Sequence, residues 1–333
     1  MTLIDQYLTW LETNKGRSIS TSNKYRGYLS RWFDWCKKEK IKPLEASQDN
    51  LLKFSGEYAH KIGLGPRSRR PLVASLRGFY TWAYNKGEIS SNPSADLPYP
   101  KAGKSLPHAL TMINAEKLLM APDLQTFLGF RDASIIALMI GCGFRISGLV
   151  SLNESSLINV ESGDKERLMI RVIEKGKKER LVPVPVESQF LIIGYLGHKE
   201  LESIDRKLPD GDQVLFVSTK NHRIPDHEYH GEARRLKGRG IFDMLQKYGE
   251  QVGIPKSQRN PHAMRHFYGT ELAESEVDLL MRQSLMGHED PKSTEVYTHL
   301  AARKRMNVVD KANPLSKMKN PLLNNLRNLS NEL

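Results

Sequence analysis

The sequence predicts two domains: an all-α N-terminal helical bundle, then a mainly α C-terminal domain with a small antiparallel β-sheet. Three observations carry this expectation. Apolar residues recur at helical spacing through roughly the first hundred residues. A proline-punctuated basic stretch, LPYPKAGKSLPHAL, then interrupts the pattern between Leu97 and Leu110. Beyond it, two β-rich runs are embedded among further helical stretches. At 333 residues the chain is long enough for two cores.

In the first domain, Leu3, Tyr7, Leu8 and Leu11 mark one apolar helical face. Tyr25, Tyr28, Leu29, Trp32, Phe33 and Cys36 mark a second, with Ser18, Ser20 or Thr21 placed to cap it. A third helix is expected over Leu51 to Lys61. A fourth follows Pro71, with Leu72, Leu76, Phe79 and Ala83 inward and Gly87 at its end. The boundaries this gives are 1–97 for the bundle, 98–109 for a linker, 110–310 for the second domain and 311–333 for a tail. In the second domain, Arg131 to Gly141 reads as a buried helix. The β-rich runs Arg167 to Ile173 and Arg180 to Val186 are joined by the charged turn EKGKKE, in which Gly176 supplies a flexible position, so a hairpin is expected. A short third strand is expected from Gln213, and Lys220 to Arg239 reads as a basic loop facing a polyanion. In the tail, Leu322, Leu326 and Leu329 fall at i, i+4, i+7 on a short helix, mobile until it finds a groove.

Composition narrows the partner. The net charge of +12, from 50 Lys+Arg against 38 Asp+Glu, favours nucleic acid, and no run approaches the apolar length of a membrane span. Residues 1–98 hold 16 Lys+Arg and 9 Asp+Glu, so over half the excess lies there, with Arg67, Arg69, Arg70 and Arg77 clustered at the last helix. A solvated face explains any one of those arginines equally well. Cys36 and Cys142 are far apart and lack metal-ligand spacing, which suits a reducing cytosol with both thiols buried. His227 and His230 stand at i, i+3 without cysteine partners, so no metal site is expected. Gly141-Cys142-Gly143 lacks the third glycine and the preceding strand of a dinucleotide-binding turn.

The stretch from Asn260 to Leu300 carries the chemistry. Pro261 suits a first helical position, and His262 and Arg265 share a helical face. Met286-Gly287-His288 ends a second apolar run, and Tyr297 follows nine residues later. Arginine offers a planar donor fork to phosphate oxygens, histidine moves protons near neutral pH, and tyrosine can act as a covalent nucleophile. The competing reading is a helical hairpin whose histidines cap and whose tyrosine packs.

Five elements in order make the chain resemble the tyrosine recombinase, or phage-integrase, family. Gly143-Phe144-Arg145-Ile146-Ser147-Gly148-Leu149 is similar to its T-G-x-R-x-S-E-L motif, and Glu174-Lys175-Gly176-Lys177-Lys178-Glu179-Arg180-Leu181-Val182-Pro183 to its lysine-bearing hairpin. His262-Ala263-Met264-Arg265-His266, Met286-Gly287-His288 and Tyr297-Thr298-His299 complete the set. The N-terminal bundle resembles the family's SAM-like core-binding, DNA-clamping domain. The resemblance implies a site-specific DNA recombinase in which Tyr297 attacks the scissile phosphate, leaving a 3′-phosphotyrosyl enzyme. It further implies that Arg145 and Arg265 clamp the phosphate, Lys175 protonates the leaving 5′-oxygen, His262 assists proton transfer and His288 hydrogen-bonds the phosphate. No cofactor and no metal are implied. The partner is double-stranded DNA, bound by a dimer at each site and a tetramer across two, with the tail docking in trans and accessory proteins as further candidates. No membrane is involved, and the location implied is cytoplasmic, at the nucleoid. His266 reads as a supporting residue and Tyr268 as core.

One position departs from the pattern: where the family has an acidic residue three after its first arginine, this chain has Gly148. Glu154 is near in sequence. A catalytically silent DNA-binding clamp, or an enzyme like a type IB topoisomerase or telomere resolvase, are the alternatives. A bundle starting almost at Met1 argues against an extra arm-binding domain. The basic Lys220–Arg239 segment favours a role in integration, excision or resolution of a mobile element.

Overall fold

The computed structural model describes residues 2–103, 110–162, 165–173, 179–275, 277–287 and 308–332, and divides into two compact units, Met1–Ser105 and Leu106–Leu333. The first is all-helical: α1 Leu3–Thr13, α2 Ile19–Lys38, α3 Gln48–Lys53, α4 Ala59–Lys61 and α5 Pro66–Asn85. Local signals set the starts. Thr2 and Asp5 form a capping box on α1, and the Ser18 hydroxyl accepts from the Thr21 amide to open α2. A π-helical turn, Phe54–Tyr58, joins α3 to α4 and keeps Phe54 in the core. The predicted third helix is thus one run with a wider turn inside it. The fourth begins earlier than expected, because Pro66 takes the first helical position and Pro71 lies inside α5.

Leu29, Trp32, Leu51, Phe54, Phe79 and Tyr80 are among the side chains that fill this unit's core. Its polar tips are satisfied: the Trp32 indole donates to the Tyr80 hydroxyl at 3.0 Å, and that hydroxyl donates to the Pro43 carbonyl at 2.5 Å. Cys36 is fully buried, and burial pushes its thiol up to about 12. Cys142 is buried in the second unit and shifted the same way. Neither is poised to ionise.

The second unit is built around α7, Phe127–Cys142, of whose 16 residues all but Leu128 and Phe130 are buried. Around it lie α6 Met112–Met120, α8 Ile146–Val150, α9 Val186–Leu196, α10 Lys199–Glu202, α11 Gly238–Gln251, α12 Pro261–Glu274 and α13 Leu279–Met286. The charges at the start of α7 are paired with each other: Arg131 grips Asp132 and donates to the Val217 carbonyl at 2.7 Å, while the Tyr248 hydroxyl reaches Asp132 at 3.1 Å. One antiparallel sheet, in the order β1 Leu157–Ser162, β2 Lys165–Ile173, β3 Glu179–Pro183, packs on this core. The β2–β3 hairpin is as expected, with Met169 opposite Pro183 at its open end and Ile173 opposite Glu179 at the other.

One expectation changes. No sheet strand forms at Gln213. Val214 to Val217 are buried on all sides, and their amides and carbonyls pair with loops: Val214 with Arg206, Leu215 with Leu152, and Phe216 with Leu236. The third strand is instead β1. The terminal helix Pro321–Glu332 lies on α9 of its own chain, with Leu323 fully buried and Leu322 and Leu326 against the core. The short helix Pro314–Lys317 places Leu315 in the same core. Arg327 ties the arrangement with a 3.1 Å bond to Glu187 and donor contacts to the Leu315 and Met318 carbonyls. The groove a short amphipathic helix requires is thus supplied within the chain.

Burial of this depth makes the tail part of the fold. Leu323→Ala is expected to lower the stability of the second unit by roughly 2–5 kcal/mol, read from a urea transition, while the first unit's transition stays in place.

Candidate functional site

The site is assembled from turns at helix ends. Gly143 ends α7 in the left-handed conformation, φ +62°, and a Cβ there would lie 2.3 Å from the Tyr268 ring. Both constraints demand glycine. The chain then turns sharply, and Arg145 caps α8 in an extended conformation, half-buried. Arg265 projects from α12, whose start is set by Pro261 at the first helical position and by the Asn260 side chain accepting from the Ala263 amide at 3.0 Å.

The two arginines, 120 residues apart in sequence, meet at the end of α13. Arg145 Nη2 donates to the Gly287 carbonyl at 2.9 Å. Arg265, 8% exposed, donates through Nη1 to the Gly143 carbonyl at 2.6 Å and through Nη2 to the Met286 carbonyl. A third guanidinium, Arg180 from β3, takes the Leu285 carbonyl at 2.5 Å. Three successive carbonyls thus receive three arginines from three different elements. The chemistry explains why. The last carbonyls of a helix have no intrahelical donor and carry partial negative charge, so buried cations gather there. Gly287, at φ +61°, closes α13.

His262 sits exposed at the second position of α12, one turn before Arg265. His266 is also exposed and lines a cavity of about 510 Å³ with Gly269, Thr270, Ala273, Glu274 and Met286. Tyr268 is fully buried with Leu272, Leu285 and Val309, and burial raises its hydroxyl pKa well above the usual phenol value, as befits a core residue. Lys175, His288 and Tyr297 lie outside the described residues. Among the sequence-predicted residues, then, the structure brings Arg145 and Arg265 together and places His262 on the same helix as Arg265. The reading of the sequence missed Arg180, although it is in the quoted hairpin motif; the usable signal was an arginine on a strand whose neighbours pack inward. Among the described residues, no group of three or more His, Cys, Asp or Glu could hold a metal ion.

Gly148 has a packing explanation. It is buried on α8, and a Cβ added there would lie 2.9 Å from Val172 Cγ1 on β2. Glu154 does not stand in for the missing acid, because its carboxylate accepts from Arg206 at 2.5 Å.

The basic segments are more structural than their charge suggests. Arg67, Arg70 and Arg77 on α5 donate to the Gly103, Pro100 and Leu97 carbonyls at 2.7, 3.1 and 3.1 Å. The Tyr99 ring lies 5.3 Å from Arg70 and 5.4 Å from Arg77. In the Lys220–Arg239 segment, Arg235 is built into the fold through the Val150 and Leu152 carbonyls and Asn153, and Arg234 stacks over Tyr229 at 4.0 Å. The remaining Lys and Arg side chains there, including Lys237 and Arg239, are exposed.

Comparison with known proteins agrees across the chain. The phage integrase family model matches residues 109–304, and the model of the phage integrase N-terminal SAM-like domain matches residues 4–87. The tyrosine recombinase XerC of Thermodesulfovibrio yellowstonii is 30% identical over 316 residues, covering 94% of this chain and 97% of that protein. The tyrosine recombinase XerD of Pseudomonas putida is 30% identical over 299 residues, covering 90% and 93%. Among solved structures, the XerH site-specific recombinase in a post-cleavage complex with a palindromic difH substrate shares the fold, with TM-score 0.65, 17% identity, and coverage of 90% of this chain and 82% of that one.

The close approach of Gly148 to Val172 can be tested directly. Gly148→Glu alone is expected to cost about 1–3 kcal/mol by overpacking, and adding Val172→Ala should recover most of the loss. A single variant that melts with the wild type would show that Val172 yields freely.

Proposed function

The chain belongs to the phage integrase family and is a tyrosine recombinase, an enzyme that breaks and rejoins DNA at specific sites; from this premise we propose how its residues divide the reaction. The observation that carries the reading is the meeting of Arg145 and Arg265 at the end of α13, one residue before His288.

In the proposed reaction, Tyr297 Oη attacks the scissile phosphorus. The bond from phosphorus to the 5′-oxygen breaks, the phosphoryl group stays on the tyrosine as a 3′-phosphotyrosyl link, and Lys175 gives the departing 5′-oxygen its proton. Rejoining reverses each step with another strand's 5′-hydroxyl. Because the bond energy is kept in the ester, no nucleotide is consumed. Arg145 and Arg265 hold the non-bridging oxygens as charge accumulates on them, which is where oriented donors in a site shielded from water contribute most. A phenol with an ordinary pKa of about 10 needs a proton acceptor at neutral pH, the role assigned to His262, with His288 hydrogen-bonding the phosphate. The charge stabilisation rests on guanidinium groups.

The substrate proposed is double-stranded DNA carrying two like sites, one dimer on each and a tetramer at synapsis, with accessory proteins where the site calls for them. Integration, excision or resolution of a mobile element is the biological role proposed. The domain roles follow: residues 1–97 clamp the DNA, 98–109 link, and 110–310 cut and rejoin. The tail, 311–333, contributes to the fold in cis, and exchange of its terminal helix between protomers is the proposed route to synapsis.

Two variants test the roles. Tyr297→Phe should bind a duplex from the DNA flanking its own gene within about twofold of wild type and form no SDS-resistant adduct. Adducts that persist would assign the nucleophile elsewhere. Lys175→Ala should slow cleavage of an ordinary strand on the order of a hundredfold or more, yet barely affect one whose 5′-bridging oxygen is sulfur, a group that leaves without a proton. Equal losses on the two substrates would move the general acid to another residue.

A further inference from the structure

The segment that carries Tyr297 leaves the described residues after Gly287 and returns at Val308. Its upstream end is gripped by the three arginines at Leu285, Met286 and Gly287. Its downstream end meets a fourth. Residues 308–312 are helical, and Val309 and Ala312 are buried in one cluster with Tyr268 and Leu272 of α12. Asp310, between them, accepts both arms of the Arg167 guanidinium: Nη1 to Oδ2 at 2.5 Å and Nη2 to Oδ1 at 2.6 Å. Arg167 Nη2 also donates to the Val184 carbonyl at 3.3 Å, just past β3. Arg167 itself is on β2, opposite Val160, eight residues before Lys175; Asp310 comes thirteen residues after Tyr297.

As a stabilising device alone this pair is a poor choice. The two side chains are only 14% and 31% exposed, so both charges lose hydration that an apolar contact would not forfeit. A bidentate fork supplies something an apolar contact lacks: two parallel bonds that fix orientation as well as distance. We propose that Arg167 and Asp310 form a positioning pair for strand cleavage, holding the return of the Tyr297 segment in register with the sheet that leads to Lys175. The inference rests on Tyr297 as nucleophile and Lys175 as general acid. In-line transfer requires the attacking and departing oxygens on opposite sides of phosphorus, and a displacement of about 1 Å can cost on the order of a hundredfold in rate. Neither member of the pair touches the phosphate; each acts through the tyrosine.

The test uses the full-length protein and a nicked suicide duplex from the DNA flanking its own gene, with formation of the phosphotyrosyl adduct as the readout. Asp310→Ala, and Arg167→Lys, which keeps the charge but loses the fork, should each slow adduct formation about tenfold or more, with duplex affinity unchanged, when assayed well below the melting temperature of each variant. The slowing should be equal on the sulfur-bridged strand, since the fault lies with the nucleophile. The exchange R167D/D310R should restore at least half of the lost rate, because it rebuilds a pair at the same place. Wild-type cleavage by both single variants would overturn the inference, as would a loss that tracks melting temperature and DNA binding, or one relieved by the bridging sulfur. Tyr297→Phe, run alongside, separates the two levels: adducts from that variant would sink the assignment of the nucleophile, whereas its silence beside unimpaired Asp310→Ala would sink the positioning role alone.

Discussion

The end of α13 is where the second unit's distant parts are forced into agreement. Its last carbonyls lack helical donors, and three guanidinium groups supply them from β3, α12 and the turn after α7. Arginine stays charged at any depth, so an arginine as buried as Arg265 needs acceptors on every side it presents to the protein. The Met286 and Gly143 carbonyls meet that need, and Gly143 supplies its carbonyl only because it has no side chain to strike Tyr268. The ends of two helices, α7 and α13, thereby constrain each other through one side chain. A carbonyl is a weaker acceptor than a phosphate oxygen with its full charge. The forks of Arg145 and Arg265 are thus oriented by carbonyls of the chain itself.

The same economy of parts runs through the sheet. β2 packs Val172 against Gly148 on one side and sends Arg167 to Asp310 on the other. β3 sends Arg180 to α13. A three-stranded sheet this small has little core of its own, so its place is set by what its side chains reach. The buried Arg131–Asp132–Tyr248 cluster does the corresponding work at the opposite end of α7, tying it to α11 and to the loop at Val217.

Local signals in the sequence were read well where one interaction decided the outcome. A cap among Ser18, Ser20 and Thr21, Pro261 at the start of α12, the buried α7 and the β2–β3 hairpin all depend on residues within a few positions of each other. Failures came where distant residues decide. Val214 to Val217 have the composition of a strand, but loop partners as near as Arg206 and as far as Leu152 in sequence take their hydrogen bonds, and no periodicity reports that. Pro71 looked like a helix start because the earlier Pro66 fits the role equally well by sequence. The arginines of α5 illustrate a further limit. Charge is visible in a sequence, but whether a guanidinium faces solvent or a neighbouring carbonyl is settled by tertiary structure. Gly148 belongs with these: as a departure from a motif it suggested a lost function, and only the distance to Val172 shows what the glycine accommodates.

The burial of Leu323 also bears on how the protein is made. The first unit has its whole core in hand by Leu97, so it can fold while the rest is still being synthesised. The second cannot close its core until residues 321–332 have appeared, because the part of α9 that α7 does not cover lacks this helix until then. Its contacts are of long range as well: Arg145 waits for Gly287, and Arg167 for Asp310. A ribosome therefore presents a finished helical bundle well before it presents a finished arginine cluster.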